Sequence, residues 1–176
     1  MSPVLHDLFE ALDQQAECIP LDFLRKVLEE APLSLDDLAP WLRFGRESYQ
    51  RNLIHQGPGY HALALCWRSG QRSPIHDHRG SACGLRVVSG VMSETVFDRT
   101  AEGHIYPTHT HVVRAGQVCA TYDMDIHQVS NLESPGRDLV TLHIYSPPLL
   151  VMGTYSLFDL ARAEYADPVF ADGAGI

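Results

Sequence analysis

The sequence predicts a mainly β protein, one antiparallel sandwich or barrel preceded by α-helices. Two features lead there. Through the first 45 residues apolar side chains recur at intervals of three and four, the period of an amphipathic helix. From Tyr49 onward the chain changes to short segments of alternating apolar and polar residues, separated by Gly, Pro, Asp and Asn.

The helical part takes its faces from Leu5, Leu8, Phe9 and Leu12, and then, after Pro20, from Phe23, Leu24, Val27 and Leu28. Ser34, with Asp37 three residues on, reads as an N-cap ahead of Leu38 and Trp41. Strands are expected at 49–55, 60–67, 74–79, 83–89, 91–98, 104–113, 117–122, 126–131, 139–145 and 151–156. Turns punctuate them at Gln56-Gly57-Pro58-Gly59, Gly70, Ser89-Gly90, Ala101-Glu102-Gly103, Ala115-Gly116 and Ser134-Pro135-Gly136. The stretch 166–176 is small and Gly-rich, and loose packing is expected there. With 176 residues the chain suits a single domain, helical over about 1–45 and barrel-like over about 46–160.

Composition excludes several classes. No apolar run approaches the roughly 20 residues needed to span a bilayer, so no membrane is expected. The N-terminus, MSPVLHDLFEALDQ, has no basic leader and carries acids within its apolar stretch, unlike a secretory signal. Cys18, Cys66, Cys83 and Cys119 show no Cys-x-x-Cys spacing, so reduced thiols in the cytoplasm are expected. A net charge of −9 opposes a nucleic-acid partner, which needs a basic stripe. Ten histidines point towards metal, but only their placement can decide.

His76 and His78 stand two apart in a strand-like stretch, so both imidazoles can face one ion. His109 and His111 share that spacing, yet nothing around them builds a site, and a solvated strand face accounts for them. Around the first pair the chain reads Gly70-x5-His76-x-His78-x4-Cys83-x6-Gly90. This resembles the first cupin motif at full spacing, with Cys83 where Glu is usual. Gly116-x5-Tyr122-x-Met124-x2-His127-x3-Asn131 resembles the second, with Tyr122 and Met124 in place of Pro and Gly. The resemblance implies a cupin-type antiparallel β-barrel or jelly roll, with His76, His78 and His127 as metal ligands. Three neutral imidazoles leave a divalent ion its full charge, which favours an anionic substrate on it. Imidazole suits iron, zinc, copper and nickel alike, so a zinc hydrolase competes at this point.

The match extends past the ligands. SPIHDHRGSACGLRVVSGVMSETVF resembles, without a gap, the metal-binding segment of the cysteine dioxygenase family. YQRNLIHQGPG resembles that family's substrate-binding strand, and TLHIYSPP its catalytic strand. The family's pattern implies Fe(2+) on His76, His78 and His127, and Arg51 on the substrate carboxylate with Tyr49 beside it. It also implies Tyr145, two residues after His143, over the metal. In eukaryotic-type members a thioether joins that Tyr to a Cys five residues after the second ligand, and Cys83 holds the place. Thr141 stands where better-known members have Ser, which keeps the hydroxyl. Arg79 stands where a small or neutral residue is expected.

The residues make physical sense of that pattern. Thr141, His143 and Tyr145 alternate along one strand and share a face, so hydroxyl, imidazole and phenol can form a hydrogen-bonded relay. Arg51 offers a planar fork that matches a carboxylate. Cys66 and Cys119 fit ordinary core packing, whereas Cys83 occupies a position aimed at the metal. The expected function is a non-haem iron dioxygenase that adds both atoms of O2 to the sulfur of cysteine, giving a sulfinic acid. It would act as a monomer on small molecules alone. A dioxygenase for another thiol, such as 3-mercaptopropionate, and a non-catalytic metal sensor are the alternatives.

Overall fold

The computed structural model describes residues 1–176 except 16–17, 123–125, 161, 167–168, 172–173 and 176; Met124 of the second motif lies outside the described residues. Helices α1 (Pro3–Asp13), α2 (Leu21–Glu30) and α3 (Leu35–Leu38) open the chain, and the turn Ala39–Trp41 closes the helical part. Ser2 caps α1 by accepting the Leu5 N–H at 3.3 Å. At α3 the expected cap forms as a capping box, with the Asp37 carboxylate accepting the Ser34 N–H at 2.9 Å.

The strands are β1 (Gln50–Gln56), β2 (His61–Trp67), β3 (Ile75–His76), β4 (Ala82–Ser89), β5 (Val91–Arg99), β6 (Ile105–Arg114) and β7 (Val118–Thr121). They continue with β8 (Ile126–Ser130), β9 (Leu139–Ser146), β10 (Met152–Tyr155), β11 (Arg162–Tyr165), β12 (Val169–Ala171) and β13 (Ala174–Gly175). One sheet has the order β13-β12-β1-β2-β9-β4-β7, the other β11-β10-β3-β8-β5-β6. Their inner faces meet in an apolar cluster that includes Leu63, Leu65 and Leu85 from the first sheet and Met92, Val129 and Met152 from the second. This is the antiparallel barrel that the alternation predicts.

Two expectations need correction. The strand foreseen at 74–79 stops at His76, so His78 lies in the chain beyond it. Asp77 still ties the segment to β10, its N–H donating to Gly153 O at 2.9 Å and its carboxylate accepting the Gly153 N–H at 3.0 Å. The left-handed turn at Arg79 and Gly80, with φ of 50° and 93°, then takes the chain away from the sheet. Gly153 has to lack a side chain, since a Cβ there would lie 2.7 Å from the Asp77 oxygens. The tail also does more than expected. β12 pairs in parallel with β1, Arg51 opposite Val169, and Val169 is buried. The free edge of β1 presents backbone donors and acceptors that small residues can approach, so the tail finishes the sheet.

The helices cover the outer face of the seven-stranded sheet. Leu5, Leu8, Phe9, Leu12, Leu24 and Leu28 pack there on Ala62, Ala64, Ala82, Val140, Leu142 and Ile144. Small sheet residues let α2 come close, and Gly84 marks the closest approach. Arg86 fixes the end of α2 by donating to the carbonyls of Leu28 and Ala31, both at 2.5 Å. A Cβ on Gly84 would sit 2.8 Å from Leu28 Cδ1 and 3.1 Å from Leu24 Cβ. Gly84→Val should therefore lower stability by about 1–3 kcal/mol through overpacking, read from denaturant midpoints. Adding Leu28→Ala should recover part of that loss; simple addition of the two costs would contradict the clash.

Candidate metal centre and its cavity

Three imidazoles converge inside the barrel. β3 carries His76, the segment after it carries His78, and β8 carries His127, which lies directly opposite His76 in the ladder. His127 Nε2 lies 3.3 Å from His76 Nε2 and 3.1 Å from His78 Nε2, and all three rings are buried. The far side of two rings shows why these atoms are electron pairs rather than N–H groups. His76 Nδ1 donates to the Pro74 carbonyl at 3.0 Å, and a carbonyl can only accept. His127 Nδ1 donates to Glu94 Oε1 at 2.7 Å. Burial pushes the Glu94 carboxyl up, but the hydrogen bond from His127 outweighs this and holds it below the usual carboxylate range. Both rings thus turn bare Nε2 atoms towards one point, an arrangement that a cation between them satisfies. The residues fit a metal. Burial holds His76 and His78 neutral, well below the ordinary imidazole value.

The predicted relay lies on the same cavity. Thr141, His143 and Tyr145 alternate along β9. Thr141 Oγ1 stands 2.9 Å from His143 Nε2, and His143 Nδ1 stands 2.9 Å from the Tyr145 hydroxyl. Burial, with the Arg51 charge added to it, pushes the His143 imidazole down to about 3. Cys83 on β4 is the direct cross-strand partner of Tyr145. Its sulfur lies 3.9 Å from His143 Nδ1 and takes a hydrogen bond from Tyr145, while burial raises its thiol well above the ordinary range.

Arg51 on β1 is buried, donates to Leu149 O at 3.2 Å and holds its guanidinium carbon 5.6 Å from the centre of the Tyr145 ring. Tyr49, just before β1, stacks on Trp67 with centroids 4.0 Å apart and planes at 7°. These groups line one cavity, together with Leu65, Leu85 and Met152. All nine residues that the sequence singles out meet here, eight of them on its wall and Thr141 hydrogen-bonded behind it. His109 and His111 lie exposed on β6, in line with a solvated strand face. Arg79 is neutralised at the surface by Glu164 at 2.8 Å.

Sequence reasoning missed two groups. Glu94 had a signal, a carboxylate at an inward position of an alternating strand, buried with Met92. Trp67 donates its indole N–H to Thr141 Oγ1 at 3.2 Å, and nothing in the sequence pairs it with a residue 74 positions away.

Comparison with known proteins agrees with this geometry. Residues 4–157 match the cysteine dioxygenase type I family. The chain belongs to that family. It is 32% identical over 158 residues to cysteine dioxygenase type 1 of Danio rerio, covering 86% of this chain and 78% of that protein. With the Homo sapiens cysteine dioxygenase type 1 it shares 31% over 150 residues, covering 82% and 72%. Among solved structures, a Thermus thermophilus protein aligns with TM-score 0.53 at 16% identity, over 66% of this chain and 99% of the other. A double-stranded β-helix protein from Klebsiella pneumoniae gives 0.53 at 13%, over 68% and 94%. These two share the fold. In this cysteine dioxygenase family member no helix among the described residues is long and apolar enough to cross a membrane.

Two expectations follow from the site. Glu94→Gln should weaken metal affinity about 10–100-fold, because the amide no longer holds His127 as strongly in the Nδ1–H form. His109→Ala should leave affinity unchanged; titration calorimetry of the metal-free protein compares them. The second concerns acid. The unfolded chain takes up a proton on His143 near 6.5, whereas the folded one refuses it until about 3. Stability from this group is therefore complete above 6.5 and is lost as pH falls towards 3. His143→Gln should make the acid limb of stability shallower in denaturant titrations of the metal-free protein; an unchanged slope would contradict it.

Proposed function

We propose that this chain oxidises the sulfur of cysteine with O2 to the sulfinic acid, with a ferrous ion on His76, His78 and His127. One observation carries the reading: a single buried cavity holds three convergent imidazole Nε2 atoms, a phenol and a guanidinium. The ion supplies, when bound, the one-electron chemistry that lets a thiol react with O2. The chain does the rest. Arg51 pairs with the substrate carboxylate, and its burial makes that pairing strong because water does not compete. Tyr49 closes the wall beside it through its stack on Trp67. Tyr145 presents a hydroxyl to the reacting sulfur, and His143 with Thr141 fixes where that hydroxyl points.

Cys83 and Tyr145 form a thioether in this reading. A cross-strand pair brings side chains into contact range. The thiol and the phenol ring each give up one hydrogen as the C–S bond forms, and O2 takes both electrons and protons. The bond stiffens the phenol over the substrate.

Oxygen uptake by the iron-loaded protein with cysteine, with the product identified by mass, tests the reaction. A product carrying both atoms of isotopically labelled O2 is expected; hydrolysis of any supplied ester or amide with zinc, and no oxygen uptake with iron, would overturn it. Faster turnover of 3-mercaptopropionate than of cysteine would reassign the substrate within the same reaction. Arg51→Ala should raise KM for cysteine at least about 30-fold, the equivalent of the roughly 2 kcal/mol minimum for a buried charge pair. Cysteamine, which has no carboxylate, should be a poor substrate of the parent protein. After repeated turnover, peptide mapping should find Cys83 and Tyr145 joined and lighter by two hydrogens. Cys83→Ser should stay active but slower, and an active enzyme whose two peptides remain separate would remove the cross-link from the scheme.

A further inference from the structure

The relay has a polarity that its three members do not set. A neutral imidazole between two hydroxyls can be oriented either way. With the proton on His143 Nδ1, Tyr145 accepts from the ring and turns its own proton into the cavity. With the proton on Nε2, Tyr145 donates to the ring and has no proton left for the substrate. The two arrangements place the same heavy atoms at the same distances of 2.9 Å. Something outside the relay has to choose.

We propose that Trp67 is a positioning residue that fixes the direction of this hydrogen-bond chain through Thr141. It rests on the reading of Tyr145 as the donor into the cavity. The indole nitrogen can only donate, and it faces Thr141 Oγ1 at 3.2 Å in a buried setting. Two donors cannot face each other, so the Thr141 proton is excluded from the Trp67 side. The other acceptor at hand is His143 Nε2, at 2.9 Å. Reversing the chain would make Thr141 accept from both neighbours and strand its own proton in the core, which costs the desolvation of a buried donor. The Thr141 proton therefore goes to Nε2, Nδ1 carries the ring proton, and the Tyr145 proton turns to Cys83 and the cavity. A donor at one end also polarises each later bond in the same sense.

Trp67 is well held for this task. It is 1% exposed, and Tyr49 lies flat on it at 4.0 Å. In the ladder it pairs with Leu139, two residues before Thr141 on the facing strand, so the indole reaches diagonally across to the hydroxyl. Phe in its place keeps an aromatic partner for Tyr49 but removes the donor and leaves room for a water that can take the Thr141 proton.

Nitrogen NMR of the metal-free protein reads the tautomer directly. The parent should show His143 protonated at Nδ1 with Nε2 bare, and Trp67→Phe should show an Nε2–H population. With iron and cysteine, Trp67→Phe should lower kcat about tenfold, the scale of one buried hydrogen bond, with KM within about twofold of the parent. In a Thr141→Val background the same change should have no further effect on kcat, because the path through the hydroxyl is already cut; Thr141→Ser should restore the dependence. A folded Trp67→Phe protein with His143 wholly in the Nδ1–H form overturns the proposal. So do losses in kcat that multiply in the double variant, the mark of a packing role. If Trp67→Phe does not fold, 3-benzothienylalanine at this position keeps the indole shape and replaces its N–H by sulfur, with the same expected and overturning tautomer results. Because the tautomer is read without metal or substrate, the proposal is decided even if the parent turns over no cysteine.

Discussion

The structure depends on one strand that is covered on both faces. β9 lies between β2 and β4 in the interior of the seven-stranded sheet, and all eight of its residues are buried. Its period of two divides it between two tasks. Val140, Leu142 and Ile144 face α1 and α2 in the outer core, while Thr141, His143 and Tyr145 face the barrel interior. The helices therefore do more than cap a sheet. By burying the outer face they lock the register, since a slip of one residue would turn three aliphatic side chains into the cavity and three polar ones into the helix layer. The small residues under α2, with Gly84 at the closest contact, allow that burial to be tight.

The interior that results is electrostatically unusual for a chain of net charge −9. Burial pushes His76, His78 and His143 towards their neutral forms and Cys83 towards its thiol. Arg51 is the buried cation of the cavity, and its charge adds to the pressure on these imidazoles. Such a site favours an anionic ligand, which would compensate both a bound cation and the guanidinium without bringing water. Among the described residues the one buried carboxylate on the cavity wall, Glu94, is already committed to His127. Outside the barrel the middle residue of the same His-Asp-His segment does structural work: Asp77 accepts from Gly153, Tyr155 and Arg162 and holds β10 and β11 in place. One segment thus anchors the metal from one side and the second sheet's edge from the other.

The local periods of the chain were sufficient for the helices, for most of the strands and for the face shared by Thr141, His143 and Tyr145. The resemblance of the segments around His76, His78 and His127 to the two cupin motifs was sufficient to bring them together, even though β3 ends before His78. The helices, the strands and that shared face follow from periodicity, a property of neighbours in sequence that needs no knowledge of the rest of the fold. Tertiary structure alone decided which strands lie side by side. That choice made Cys83 the cross-strand partner of Tyr145, set Glu94 behind His127, placed the Trp67 indole on Thr141 and joined β12 to β1. The family resemblance implies only the nearness of Cys83 to Tyr145; the pairing register between strands so far apart in the chain comes from the packing of the whole barrel, with no local pattern to announce it.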